Sequence, residues 1–117
     1  MEIKRLFDFP YYQLEKNARA DALVTKVNGS WVKTSTEDYI NKANALSRGL
    51  LKLGIKPKDK LAIVTANNRT EWNIADIGIQ QVGAVSVPMY PTLSDDDFVT
   101  YVIKCDFCYE FYYYFLS

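Results

Sequence analysis

The segment that decides the fold is Lys60 to Pro88, KLAIVTANNRTEWNIADIGIQQVGAVSVP. It begins with KLAIVTA and ends with AVSVP, two short apolar runs without alternation, which is typical of strands covered on both faces. Between them apolar residues recur at helical spacing from Trp72 to Val82, and Gly83 ends that run. A strand, a helix and a strand within about thirty residues predict a right-handed βαβ unit with a parallel strand pair.

A turn signal precedes this unit. Asn28-Gly29 separates two strand-prone runs, 22–27 and 30–34, and both turn residues tolerate the positive φ that a two-residue hairpin needs. Residues 1–20 show no clean periodicity. The aromatic residues on either side of Pro10 predict an extended arm laid on a neighbouring surface. We therefore expect the chain to begin with an arm followed by a β-hairpin.

Two more helices are predicted, one on each side of the βαβ unit. Ser35 is placed to cap the first, and Gly54 ends it in the left-handed conformation. Ser94 begins the other, with Asp95–Asp97 in its positive first turn. The apolar stripes consist of Tyr39, Ile40, Ala43, Leu46, Leu50 and Leu53 in the first helix and Phe98, Tyr101 and Val102 in the second. The order of hairpin, helix, strand, helix, strand and helix predicts an α/β fold.

Composition and charge exclude several classes of function. The 117 residues are about one domain long. Fourteen basic residues balance fourteen acidic ones, so nothing favours binding to nucleic acid or to an anionic membrane surface. No stretch approaches the ~20 apolar residues of a membrane span, and the charged first residues do not form a signal peptide. We therefore expect a cytoplasmic protein without a transmembrane segment.

The short motifs are better explained by structure than by chemistry. Gly78 and Gly83 have the spacing of a phosphate-binding loop but lack the Lys after its second Gly, so close packing and helix capping explain them better. Cys105 and Cys108 form C-x-x-C, but the chain has no His and no further Cys to complete a zinc site. Asp95–Asp97 could ligate a cation, yet consecutive residues fan around a helix, and the helix dipole explains them better.

The segment NNRTEW, residues 67–72, is the one most open to a ligand. It leaves the carboxyl end of a strand and enters a helix, where open α/β sheets place their ligands. Asn68 is better explained as the cap of that helix. Trp72 and Tyr39 occupy apolar-stripe positions, which favours core packing over a substrate platform. Local chemistry thus assigns no catalytic, cofactor-binding or metal-binding residue.

The order of these blocks resembles a known family. The segment from Tyr39 to Ile103, YINKANALSRGLLKLGIKPKDKLAIVTANNRTEWNIADIGIQQVGAVSVPMYPTLSDDDFVTYVI, is similar to the early N-terminal region of acyl-adenylate-forming (AMP-binding) enzymes. RLFDFPYYQLEKN also fits the lead-in of long-chain fatty-acid–CoA ligases, the members that the chain resembles most. The resemblance covers residues 3–104 and implies that they are part of a larger adenylate-forming domain.

The resemblance also implies a chemistry. Such enzymes use ATP and Mg²⁺ to activate a fatty acid as an acyl-adenylate and then pass the acyl group to coenzyme A. They do so with a Ser/Thr/Gly-rich phosphate loop, an acidic metal ligand, an Asp for the ribose and a Lys in a mobile C-terminal domain. None of these has a counterpart in this sequence, so no site residue is carried over. We expect a truncated, inactive ligase that itself binds no cofactor.

The last residues, CDFCYEFYYYFLS, depart from the family pattern. We expect residues 1–104 to be an incomplete N-terminal part of an AMP-binding domain. Residues 105–117 are then an aberrant aromatic tail, produced by a shifted reading frame or an artificially ended gene model and able to self-associate. The alternative for the tail is a genuine edge strand. The alternative for the whole chain is a small stand-alone α/β binding or interaction module whose ligand lies near Asn67 to Glu71.

Overall fold

The computed structural model describes residues 1–65, 67–105 and 109–112. These form a two-stranded antiparallel sheet and a three-stranded parallel sheet, together with four α-helices in this part of the chain. In chain order the elements are a 3₁₀ turn (Leu6–Asp8), α1 (Phe9–Asn17), β1 (Leu23–Val27), β2 (Ser30–Thr34), α2 (Thr36–Lys52), β3 (Lys60–Val64), α3 (Thr70–Gln81), β4 (Val85–Met89), α4 (Asp95–Cys105) and β5 (Tyr109–Tyr112). The predicted α/β class is confirmed.

The βαβ unit forms as the sequence predicts. β3 and β4 are parallel neighbours, with Lys60 opposite Val85 at one end of the ladder and Val64 opposite Met89 at the other. The centre of β3 is buried because this strand lies in the middle of the sheet order β4-β3-β5. β3 ends at Val64, earlier than predicted, and the predicted last residue, Ala66, lies outside the described residues.

The prediction that β4 is covered on both faces is wrong. Val85 exposes 47% of its surface, and Pro88 is also exposed. The reason is the position of β4, which has β3 on one side and no strand of the described residues on the other. An apolar run without alternation does not distinguish a central strand from a strand at the sheet edge.

The sheet order determines the sides on which the crossover helices lie. The chain moves from β3 to β4 in one direction and then back across β3 to β5 in the other. Because such crossovers are right-handed, this order predicts that α3 and α4 lie on opposite faces of the sheet. The carboxyl ends of β3 and β4 therefore form a topological switch point, where open α/β sheets bind ligands.

The predicted hairpin is confirmed. β1 and β2 pair antiparallel from Leu23 opposite Thr34 to Val27 opposite Ser30. The two residues between the strands both have positive φ, 50° at Asn28 and 80° at Gly29. This is the left-handed turn geometry whose twist matches that of the flanking strands.

The extended arm predicted for residues 1–20 is wrong, because this segment forms a 3₁₀ turn that runs into α1. The Asp8 carboxylate accepts hydrogen bonds from the backbone N–H groups of Lys4 (3.1 Å) and Arg5 (2.9 Å) and so stabilises the start of the 3₁₀ turn. Pro10 lies in the first turn of α1, where its missing N–H costs nothing. Pro10 is also the one buried residue of α1, so the helix has too little apolar stripe to be recognised from its periodicity.

α2 begins and ends as predicted. The Ser35 hydroxyl accepts a hydrogen bond from the Asp38 N–H at 3.1 Å, and Gly54 has a φ of 91°. Leu53 exposes 62% of its surface, so the predicted stripe is one residue too long. Leu53 is the C-cap and lies beyond the last regular turn. The buried part of the stripe consists of Ile40, Ala43 and Leu50.

The structural explanation of the two glycines is confirmed. A Cβ atom on Gly78 would lie 2.9 Å from Leu46 Cδ2 and 3.1 Å from the carbonyl oxygen of Ala43. α3 therefore approaches α2 at a distance that only glycine permits. Gly83 has a φ of 78° and follows the last residues of α3 as the predicted left-handed end.

The backbone of the tail includes β5, which pairs in parallel with β3 and places Tyr109 opposite Leu61. This is the strand arrangement that the sequence left as an alternative. The interpretation of residues 105–117 as an aberrant sequence concerns their origin and stays a prediction. Residues 106–108 and 113–117 lie outside the described part of the chain.

Candidate functional site

A cavity of about 400 Å³ opens beside the carboxyl end of β3, between the hairpin, α2 and α3. Its lining is mainly apolar and includes Val32, Leu46, Leu50, Ile63, Trp72 and Ile74. Small-molecule sites commonly combine such a volume and such a lining with a few polar groups. The cavity is therefore the candidate site of the described residues.

The cavity lies close to the ligand position predicted for the alternative of a stand-alone binding module, near Asn67 to Glu71. Arg69, Thr70 and Glu71 line it, whereas Asn67 and Asn68 are exposed and do not. The predicted Asn68 cap is wrong, since Arg69 is the N-cap of α3 and makes no side-chain capping hydrogen bond. The start of the helix is stabilised from another segment instead.

That stabilisation comes from Thr25 on β1. The Thr25 hydroxyl oxygen accepts a hydrogen bond from the Thr70 N–H at 3.1 Å and lies 2.6 Å from the Thr70 hydroxyl oxygen. Only one of the two hydroxyl protons occupies the space between these oxygens, so the other is available to a further acceptor. Both threonines line the cavity. Sequence reasoning missed Thr25 because 45 residues separate it from Thr70 and no local pattern connects them.

Three charged side chains line the cavity: Lys42, Arg69 and Glu71. Arg69 Nε donates a hydrogen bond to Glu71 Oε2 at 3.1 Å, so these two charges offset each other. Lys42 is exposed on α2, and no carboxylate of the described residues forms an ion pair with its ammonium group. The mouth of the cavity therefore carries one positive charge in excess. Nothing in the local sequence around Lys42 indicates that its charge lies at a cavity.

The two aromatic residues of the helical stripes have different surroundings. Trp72 packs against the hydrophobic core while it lines the cavity, which confirms its predicted core contact. Tyr39 lies outside the cavity and donates a hydrogen bond to the Asn73 carbonyl oxygen at 3.4 Å. Burial, and then the negative charge of Asp76, raise the pKa of Tyr39 to about 12. Tyr39 is therefore neutral at physiological pH.

The residues around the cavity do not fit a complex of ATP with Mg²⁺. Glu71 is the one carboxylate of the lining, and it is already paired with Arg69. Mg²⁺ prefers octahedral oxygen coordination, and its protein ligands are usually one or two carboxylates. Across the described ranges, no three His, Cys, Asp or Glu residues form a group that could hold a metal ion.

The remaining candidate motifs lie away from the cavity. Asp95–Asp97 begin α4, where the Ser94 hydroxyl accepts a hydrogen bond from the Asp97 N–H at 3.2 Å. This is the predicted helix start. Cys105 ends α4, and Cys108 lies outside the described residues. Within the part of the chain that the structure describes, no helix is long and apolar enough to cross a bilayer.

Comparisons of the sequence with a family model and with known proteins point to the same family. A model of the family described as AMP-binding enzyme matches residues 11–111. The long-chain-fatty-acid–CoA ligase FadD15 from Mycobacterium bovis is 38% identical over 68 residues, which are 58% of this chain and 11% of that ligase. The chain thus spans about a tenth of the length of this relative.

Solved structures share the fold. The crystal structure of IdnL1 superimposes on this chain with a TM-score of 0.84. The superposition covers 94% of this chain and 22% of the IdnL1 chain, at 15% sequence identity. The fatty acid AMP ligase from Legionella pneumophila gives a TM-score of 0.81 over 93% of this chain and 19% of its own, at 18% identity. Because the family model matches residues 11–111 of a 117-residue chain, the chain belongs to the AMP-binding enzyme family.

Proposed function

We propose that this chain forms the opening part of the adenylation domain of a long-chain-fatty-acid–CoA ligase. The observation that carries the proposal is the family match over residues 11–111. The 38% identity to a ligase of this name supports it. The complete enzyme would activate a fatty acid with ATP and Mg²⁺ as an acyl-adenylate and transfer the acyl group to coenzyme A. Since the chain spans 11% of that ligase, the reacting groups would come from other segments.

The packing of the described residues suits a supporting role in such a domain. Gly78 brings α3 close to α2, and β3 is held in the middle of the parallel sheet. These contacts fix the positions of the carboxyl ends of β3 and β4. Open α/β sheets bind their ligands beside the carboxyl ends of their strands. We infer that the chain fixes one side of a larger site and contributes no reacting group of its own.

The isolated chain is expected to be inactive. Its sequence has no Ser/Thr/Gly-rich phosphate loop and no His, and the cavity lining does not fit a complex of ATP with Mg²⁺. Exchange of labelled pyrophosphate into ATP, with palmitate and Mg²⁺ present, tests this directly, with FadD15 as the positive control. We expect exchange equal to that without protein. Exchange above that background would contradict the supporting role.

We also propose that the isolated chain self-associates through β5. Residues 109–116 contain one charged residue, Glu110, and no Pro or Gly, which is the composition of a self-pairing strand. Among the described residues β5 has β3 on one side and no strand on the other, and such an edge can accept a second chain. Ending the chain after Lys104 should lower the mass measured by light scattering to that of a monomer. An unchanged oligomeric mass would contradict this role of the tail.

A further inference from the structure

We propose that the outer edge of β2 binds an extended acidic peptide segment, which adds to the hairpin as a further strand. The proposal concerns the hairpin alone and does not depend on the ligase role proposed above. It rests on three features of the hairpin: an open strand edge, a basic face and an exposed aromatic ring.

The outer edge of β2 is open. Among the described residues β2 has β1 on one side and no strand on the other. In a hairpin with a two-residue turn, the pair that flanks the turn is hydrogen-bonded, and bonded and non-bonded pairs alternate from there. Val27 and Ser30 are the flanking pair, so the N–H and C=O groups of Trp31 and Lys33 point away from β1. These are the groups with which an added peptide strand pairs.

The face of the hairpin that carries Trp31 and Lys33 is basic. The cross-strand partners of these residues, Lys26 and Val24, lie on the same face, and all four residues are exposed. Residues 22–34 contain two lysines and no acidic residue. No carboxylate of the described residues forms an ion pair with either lysine. A carboxylate on an added strand would therefore meet positive charge without a competing partner.

The same charge disfavours a second copy of this chain as the occupant. Pairing of two β2 edges would place Lys26 and Lys33 of both copies on one continuous face. Like charges on neighbouring strands are destabilising, and lysines on an edge strand prevent pairing between identical chains. An acidic strand changes this repulsion into attraction.

Trp31 adds a preference for an apolar side chain on the partner. It exposes 67% of its surface, and Lys26 Nζ lies 5.7 Å from the centre of its ring. An apolar side chain on the added strand, opposite Trp31, would bury part of this ring. Side chains two positions apart share a face of a strand. The partner therefore carries a carboxylate opposite Lys33 and an apolar residue two positions away.

A short synthetic peptide with capped ends, Thr-Val-Glu-Thr-Ile-Val-Thr, serves as the probe. Antiparallel pairing places its Glu beside Lys33 and its Ile beside Trp31. The measurement is amide hydrogen exchange of the full chain, resolved by residue. At saturating peptide we expect the Trp31 and Lys33 amides to exchange about tenfold more slowly. The amides of Ser30 and Val32 face β1 and should change little.

Three results of this experiment would overturn the proposal. The first is the absence of slowing at Trp31 and Lys33. The second is slowing confined to another strand edge, such as that of β5. The third is slow exchange of both amides without peptide that becomes slower as the protein concentration rises, since this would show that a second copy covers the edge.

Two control peptides separate strand pairing from attraction between charges. A peptide N-methylated at Glu and Ile keeps every side chain but lacks the two N–H donors that face β2, so it should not slow the exchange. A peptide with Lys in place of Glu should bind about tenfold more weakly because its charge is repelled. Equal binding of the methylated and unmethylated peptides would refute strand addition.

Matched variants of the protein locate the carboxylate. Lys33→Gln should weaken binding of the Glu peptide about threefold. Lys52→Gln removes a charge from an exposed position of α2 and should leave the affinity unchanged. Both lysines are exposed, so both variants should fold as judged by circular dichroism. If the two variants bind the peptide equally tightly, Lys33 does not recognise the carboxylate and the proposal is wrong.

Discussion

The Ser47 hydroxyl lies 2.8 Å from the main-chain carbonyl oxygen of Gly78 and donates a hydrogen bond to it. This bond joins α2 to α3, and the Gln81 side-chain amide donates in turn to the Ser47 oxygen at 2.9 Å. Ser47 is buried, and its hydroxyl also lies 3.0 Å from the Ala43 carbonyl oxygen within its own helix. The contact that joins the two helices therefore depends on a small residue at Gly78 and a polar residue facing it.

The close approach at Gly78 predicts an unusual effect of adding a methyl group. Gly78→Ala should destabilise the fold, because an overpacking cost of about 1–3 kcal/mol exceeds the gain of about 0.5–1 kcal/mol that alanine brings to a helix. Gly49→Ala is the matched control in α2, where an added Cβ meets no atom within 4 Å, and it should stabilise the fold by about 0.5–1 kcal/mol. Urea unfolding measures both changes. Equal stabilisation by the two variants would argue against the close packing.

The hairpin geometry predicts opposite tolerances at its two turn residues. Gly29→Ala should lower the free energy of unfolding by about 1–2 kcal/mol, because its φ of 80° strains any residue with a Cβ. An added Cβ at Gly29 meets no atom within 4 Å, so the effect is purely conformational. Asn28→Gly keeps the turn possible and should change stability little. Thermal unfolding of both variants checks this, and a tolerated Gly29→Ala would count against the turn.

Tyr11 attaches α1 to the rest of the fold. Its hydroxyl donates to Gln81 Oε1 at 2.6 Å and also lies 2.9 Å from Asn44 Oδ1. Tyr11→Phe should cost about 0.5–1.5 kcal/mol of stability, the net contribution of one hydrogen bond. Tyr12 is exposed on the same helix, and Tyr12→Phe should be nearly neutral. Chemical denaturation distinguishes the two, and similar values for both variants would show that the Tyr11 contact contributes nothing.

The raised pKa of Tyr39 predicts that the fold loses stability at high pH. Burial and then Asp76 raise its pKa in the folded state to about 12, above the usual value of 10.0. Between these values the unfolded chain has lost the proton and the folded chain retains it, so stability is complete below pH 10 and falls as the pH rises towards 12. Tyr39→Phe should make this fall smaller. An identical pH dependence in both proteins, measured by urea unfolding, would refute the raised pKa.

The parts of the fold that were predicted from sequence depend on local signals. Asn28-Gly29 specifies a turn through its own φ preferences, and helical periodicity with flanking apolar runs specifies the βαβ unit. α1 was missed because Pro10 is its one buried residue, which leaves no periodic stripe. The exposure of Val85 was missed because the sheet order, not the strand's own sequence, decides which strand lies at an edge.

The candidate site was predictable in place but not in composition. Residues 67–71 follow β3, and the general rule for α/β sheets directs attention to that position. Thr25 and Lys42 come from a hairpin strand and from α2, and only the tertiary packing brings them to the same cavity. Asn68 was expected to cap α3, but the Thr25 hydroxyl accepts from the Thr70 N–H instead. Thr25 and Thr70 are 45 residues apart, and a local sequence pattern cannot predict a contact between residues so far apart in the chain.

The central claim is that this chain is the opening part of an acyl-adenylate-forming domain, and a chimaera tests it most directly. The 68 aligned residues of FadD15 are replaced by their counterparts from this chain, and pyrophosphate exchange is measured with a long-chain fatty acid. We predict that the chimaera folds and retains exchange well above the level of the isolated chain. A chimaera that unfolds cooperatively, like FadD15, yet shows no exchange would contradict the claim.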